Sequence, residues 1–128
     1  MRNVFVSLCI ALALLLNLAP ARAADADIAP ALAGFLADSY SDTAAAVDAI
    51  AQSGSSRAYP IIEALQDGRL MYSAASKRVA IKAKDDTLSD AATGAGMATA
   101  PEDLKAVRLN NRLRRAVDNH FEALALFT

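Results

Sequence analysis

Two stretches lie back to back in this chain, SDTAAAVDAIAQSG from Ser41 to Gly54 and SSRAYPIIEALQDG from Ser55 to Gly68, and each opens on a serine and closes on a glycine. That punctuation constrains the fold more than any other feature. Ser41 or Asp42 in the first stretch, and Ser55 or Ser56 in the second, can cap a helix by accepting from an orphan N–H of its first turn. A glycine beyond the last turn can take the left-handed backbone that ends a helix. Between these ends Val47, Ile50 and Ala51 share one helical face, as do Ile61, Ile62 and Leu65. Pro60 falls within or just after the first turn of the second helix, where a missing N–H does little harm. Two helices of about three turns joined by a tight Gly-Ser turn predict an αα-hairpin.

Before this pair, Leu32, Phe35, Leu36 and Tyr40 stand at helical spacing behind Pro30, which predicts a short helix. After it the period changes. Leu70 and Tyr72, then Val79 and Ile81, alternate with other residues around Ser73–Ser76, so Arg69 to Lys82 reads as a two-stranded β-hairpin. Lys84 to Pro101 has the composition of a loop, with Gly94 and Gly96 and few large apolar residues beyond Leu88 and Met97. Its lone G-x-G lacks the strand before it and the lysine after it that a phosphate cradle needs.

The final helix is expected to start near Pro101-Glu102-Asp103, with acids at the positive end of the helix dipole. At about 100° per residue, Leu109, Leu113, Val117, Phe121 and Leu124 form one apolar stripe, and Arg108, Arg112 and Arg115 gather opposite it. Asp118 can pair with Arg115 one turn away. Asn110 falls inside the stripe, so it is expected to bond the backbone of a neighbouring loop.

The first residues call for separate treatment. Arg2, the apolar run Val4 to Leu18 and the Ala21-Arg22-Ala23 cleavage pattern predict a secretory signal peptide over residues 1–23. The run is shorter than the roughly 20 residues needed to cross a bilayer and is followed by Pro20. Cys9 lies mid-run, not at the end of it as a lipoprotein signal requires. Removing Arg2 and Arg22 leaves 11 Lys and Arg against 14 Asp and Glu, a net charge of −3. A mildly acidic exported chain lacks the positive field of a nucleic-acid binder, so its arginine face is expected to be solvated or to dock protein. Cys9 leaves with the signal, so no disulfide, zinc thiolate or cysteine nucleophile is expected.

Candidate catalytic groups are sparse. His120 is the one histidine and reads as a surface or rim residue. Glu102-Asp103 reads as dipole capping, and Ser55-Ser56 as cap and turn with no base nearby in sequence. Asp85, Asp86 and Asp90 are the one acidic group from which a loop-borne enzyme site could be built. No cofactor or metal ligand set is expected.

The sequence SGSSRAYPIIEALQDG resembles a HEAT-type helical repeat. With DGRLMY, the β-hairpin, LSDAATG and then VRLNNRLRRAVD in that order, the chain resembles the exported N-terminal region of the urea ABC transporter permease family, related to the branched-chain amino acid permeases. VRLNNRLRRAVD is the most specific part. The resemblance implies a periplasmic helical segment preceding the membrane-spanning helices. No apolar run of spanning length follows Ala24, so the chain reads as a fragment, a truncated product or a stand-alone relative, without a urea contact of its own.

These readings predict an all-α fold: residues 24–68 hold a helix and a HEAT-like helix pair, 69–100 a β-hairpin and loop, and 101–128 an amphipathic helix. The expected function is a non-enzymatic accessory domain of such a permease, contacting other transporter subunits or their periplasmic binding protein through Arg108, Arg112 and Arg115. The alternative is a stand-alone periplasmic HEAT-like adaptor. Neither uses nucleic acid, and membrane contact would come only through spanning helices not seen here or an uncleaved signal.

Overall fold

The computed structural model describes residues 27–127. The expected signal peptide lies outside the described residues. From Asp27 onward a one-turn helix α1 (Ala29–Leu32, Pro30 in its first turn) runs into a 3-10 turn (Ala33–Ala37), so the short helix expected there is split in two. Asp38 then takes a left-handed conformation and Ser39 caps helix α2 (Tyr40–Gln52). Helix α3 (Ala58–Gln66) follows, with Pro60 in its first turn.

The glycine punctuation works largely as expected. Gly54 and Gly68 both have positive φ. At Gly68 the Arg69 N–H donates to the Ala64 carbonyl at 2.7 Å and the Gly68 N–H to the Leu65 carbonyl at 3.2 Å. That pair of bonds satisfies carbonyls that the end of α3 would leave open. The start of α2 is two residues earlier than expected, because Ser39, not Ser41 or Asp42, accepts from the Asp42 N–H. Neither Ser55 nor Ser56 caps α3 as expected: Arg57 is the N-cap and has no side-chain cap, and the Ser55 hydroxyl accepts from the Arg57 N–H at 3.0 Å in the turn before it.

The all-α expectation is overturned. Four α-helices pack with a five-stranded antiparallel sheet, so the fold is mixed α and β. The predicted hairpin is present as β1 (Leu70–Ser73) and β2 (Arg78–Lys82), with Leu70 opposite Ile81 and Tyr72 opposite Val79. The segment expected as loop supplies β3 (Leu88–Asp90) and β4 (Gly96–Met97), and β5 (Lys105–Ala106) pairs with the other edge of β1. Strands of two or three residues are too short to show alternation; they form because β1, β2 and then β3 offer open edges carrying unpaired N–H and C=O groups.

Helix α4 (Asn111–Ala125) begins ten residues later than the Pro101 start expected for it. Asn110 adopts an extended backbone and its Oδ1 accepts from the Leu113 N–H at 2.8 Å. The asparagine within the apolar stripe is thus the N-cap, not a tie to a neighbouring loop, and Glu102-Asp103 cap no helix. The HEAT-like pairing of α2 with α3 is also secondary: α3 packs most extensively on α4.

The core lies where one sheet face meets the helices. Phe35, Val47, Ile50, Ile61, Ile62 and Leu65 are buried there with Leu70, Tyr72 and Val79 of the sheet and Val117 of α4. Full burial of each large aliphatic contributes about 1.5–3 kcal/mol. Gly34 lets the 3-10 turn approach α2 closely, since a Cβ there would stand 2.9 Å from the Ala46 Cβ and 3.0 Å from the Asp42 carbonyl.

Candidate functional site

The apolar stripe of α4 meets the core as its period predicts. Leu113 and Val117 are buried, and Leu109, Phe121 and Leu124 are half-buried against the same cluster. Phe121 stacks on Tyr59 of α3, with ring centroids 5.3 Å apart and 28° between planes. The arginines do not form the single face expected for them. Arg108 precedes the helix cap, whereas Arg112 and Arg115 stand on the helix, both exposed.

Arg108 belongs to a cluster drawn from three parts of the chain. Its Nε donates to Asp38 Oδ1 at 3.0 Å, and its guanidinium carbon lies 5.6 Å from the centre of the Tyr40 ring. The Asp38 carboxylate also lies near enough to the Tyr72 hydroxyl to bear on its titration. Burial pushes the Tyr72 pKa up, and the charge of Asp38 adds to that rise. The hydrogen bond to Asp38 in turn holds the Arg108 guanidinium more firmly protonated. Left-handed Asp38 therefore ties the turn before α2 to the segment leading into α4.

Beside this cluster a groove of about 410 Å³ runs between α2 and α4. Tyr40, Ser41, Ala44 and Asp48 line it from α2. Asn110, Arg112, Leu113 and Ala116 line it from the α4 side. Small Ala44 and Ala116 open space between the helices. Past that floor, His120 Nε2 lies 2.9 Å from Asp48 Oδ1, so the expected rim histidine bridges α4 to α2. The groove thus lies between two cross-links, Asp38–Arg108 near one end and Asp48–His120 near the other.

Among the described residues Arg112, Arg114 and Arg115 have no ion-pair partner, and α4 has no acid in its first turn. Asp118 does not pair with Arg115; its Oδ1 accepts from Gln66 Nε2 at 3.1 Å. The other arginines are engaged by the fold. Arg57 Nε donates to the Ala91 carbonyl, Arg69 bonds Asp67 and the Lys82 carbonyl, and Arg78 pairs with Asp90.

The acidic trio is split. Asp85 accepts from the Thr87 hydroxyl and N–H, bonds that hold its pKa below the usual aspartate value. Asp86 lies 3.5 Å from Lys82. Asp90 stands at the far end of β3; burial pulls its carboxyl up, but Arg78 and the N–H groups of Ala92 and Thr93 outweigh it and leave it low. Among the described residues no group of three His, Cys, Asp or Glu side chains could hold a metal ion.

A buried serine escaped the sequence reading. Ser73 is 0% exposed, and its hydroxyl donates to Asp103 Oδ1 at 2.5 Å while accepting from Ser76. Asp103 Oδ2 accepts from the Ala75 N–H at 3.0 Å. No reagent reaches a hydroxyl so enclosed, and the network serves to pin the β1–β2 turn to the segment before β5. Partners 30 residues apart leave no local sequence signal.

No helix among the described residues is long and apolar enough to cross a membrane. No family model, curated protein or solved structure matches the chain.

Proposed function

We propose that the chain is a non-enzymatic, exported docking domain of an ABC transporter of the urea permease type. It acts on the periplasmic side of the inner membrane, through contacts with other transporter subunits or their periplasmic binding protein. The observation that carries this reading is the set of exposed guanidiniums on Arg112, Arg114 and Arg115, which have no ion-pair partner among the described residues of a chain richer in acids than in bases. A cation in the first turn works against the helix dipole, so Arg112 gains nothing from it. Guanidinium groups bind carboxylates in a planar, two-bonded geometry, which suits them to a partner's acidic surface. The resemblance carried by VRLNNRLRRAVD supplies the transporter context, and its arginines are the same ones.

The test is direct binding. The mature chain, carrying a photo-crosslinking side chain in place of Arg115, is expressed in cells that assemble a urea-type transporter. Crosslinks to the permease or the binding protein, lost when Arg112 and Arg114 are changed to glutamine, support the reading. Crosslinks only to proteins outside that transporter would sink it and favour a stand-alone adaptor.

A further inference from the structure

We infer that residues 103–109 form a releasable strap over the outer edge of β1, clasped at each end through one carboxylate, and that it opens as a unit while the rest of the fold stays closed. This goes beyond the docking reading above and does not depend on it.

The two clasps bracket β5. Before it, Asp103 accepts from the Ser73 hydroxyl at 2.5 Å and from the Ala75 N–H at 3.0 Å. After it, Arg108 donates to Asp38 at 3.0 Å in an ion pair whose two side chains are both exposed. Between the clasps the strap meets β1 through two ladder pairs, Met71 with Ala106 and Tyr72 with Lys105. The Val107 N–H adds one bond to the Leu70 carbonyl at 3.0 Å.

Little else holds the strap down. From Ala92 to Arg112 no residue is buried, both residues of β5 are exposed, and Leu104, Val107 and Leu109 are only half-buried. Segments with few buried apolar contacts open at a lower free energy than the core does. An exposed ion pair in water adds little to close that gap. β1 itself does not need the strap. Its other edge pairs with β2 from Leu70 to Ser73, and Leu70 and Tyr72 belong to the buried core. Ser73 keeps a partner too, because its hydroxyl also accepts from Ser76. Closed, the strap covers an edge that would otherwise be a template for another strand; open, it bares the Leu70 carbonyl and the edge beside it.

The test is native-state hydrogen exchange of the isotope-labelled mature chain, in denaturant kept below the unfolding midpoint. The Val107 amide reports the strap, and that of Ala80, buried in β2 opposite Met71, reports the sheet that stays closed. Val107 should exchange through an opening at least about tenfold more populated than that of Ala80, and one nearly insensitive to denaturant. Asp103→Ala should raise Val107 exchange about tenfold, the loss that goes with a hydrogen bond to a charged group. Arg108→Gln, which removes only an exposed pair, should raise it about two- to threefold. Ile50→Val weakens the core, which stays packed when the strap opens, so it should speed Ala80 and leave Val107 unchanged. A shared rate and denaturant slope for the two amides, either clasp variant leaving Val107 unchanged, or Ile50→Val speeding both alike would each overturn the inference.

Discussion

Asp38 and Arg108 stand 70 positions apart in sequence and 3.0 Å apart in space. This pair draws the first of the clustered arginines away from the face of α4 and fixes the chain before the Asn110 cap. Because Asp38 has φ 51 as well as its bond to Arg108, its replacement acts on the backbone and on the pair. Asp38→Asn keeps an acceptor and tolerates the left-handed backbone, so its urea unfolding midpoint should stay close to wild type. Asp38→Ala should lose an added 1 kcal/mol or so from the backbone. Asp38→Gly, which keeps the left-handed turn without the carboxylate, should recover part of that loss. Equal midpoints for the Asn and Ala variants would show that the left-handed backbone does not matter.

Gly68 and Gly34 are needed for different reasons, and alanine separates them. Gly68 has φ +72 and open space around its missing Cβ, so Gly68→Ala should cost on the order of 1 kcal/mol from backbone conformation. At Gly34 the new methyl would meet Ala46 and the Asp42 carbonyl, neither a flexible side-chain end. The 3-10 turn must then move off α2, so Gly34→Ala should be the more damaging. Pro60→Ala, within the first turn of α3, should change little. Thermal melts giving Pro60→Ala the largest loss would show that α3 starts elsewhere.

What was legible in the sequence was what neighbouring residues decide together. Gly54 and Gly68 end their helices because left-handed backbone is a local property, and the stripe from Leu113 to Leu124 faces the core because a period needs no partner. Strands β3 and β4 pair with neighbours in sequence but are too short, and too poor in large apolar residues, to show a period, whereas Lys105 of β5 gains its structure from the distant edge of β1. Pro101 and the acids after it carry the marks of a helix start, but Asn110, whose side chain accepts from the Leu113 N–H, is the cap of α4. The site divided in the same way. Arg112 and Arg115 could be placed on an exposed helical face, but the groove needed α2, and Arg108 needed Asp38.

Leu113 and the exposed arginines should separate folding from docking. Leu113 is 3% exposed, so Leu113→Ala should cost about 2–5 kcal/mol. Phe121 is half-buried and keeps one face on Tyr59, so Phe121→Ala should cost less. Changing Arg112 and Arg115 together to glutamine should leave the melting temperature unchanged or slightly raised, since neither has an ion-pair partner among the described residues and Arg112 leaves the positive end of the helix dipole. Clear unfolding by that double variant would mean that these guanidiniums belong to the fold.

Acid should expose the role of Asp103. The hydrogen bond from Ser73, with that from the Ala75 N–H, holds its pKa below the ordinary 3.8. A carboxyl depressed on folding contributes stability that is present above its unfolded value and is lost as pH falls through its folded one. Asp85 and Asp90 are depressed as well, so wild-type stability should decline from about pH 4 downward with contributions from all three. Asp103→Asn isolates one of them. Its amide can still accept from Ser73 but turns an N–H toward the Ala75 N–H that the carboxylate had satisfied. The variant should therefore melt below wild type at neutral pH, and the gap should narrow in acid as the wild-type carboxyl takes up its proton. A gap that stays constant from neutral pH to about pH 2 would show that Asp103 acts through packing and not through its charge.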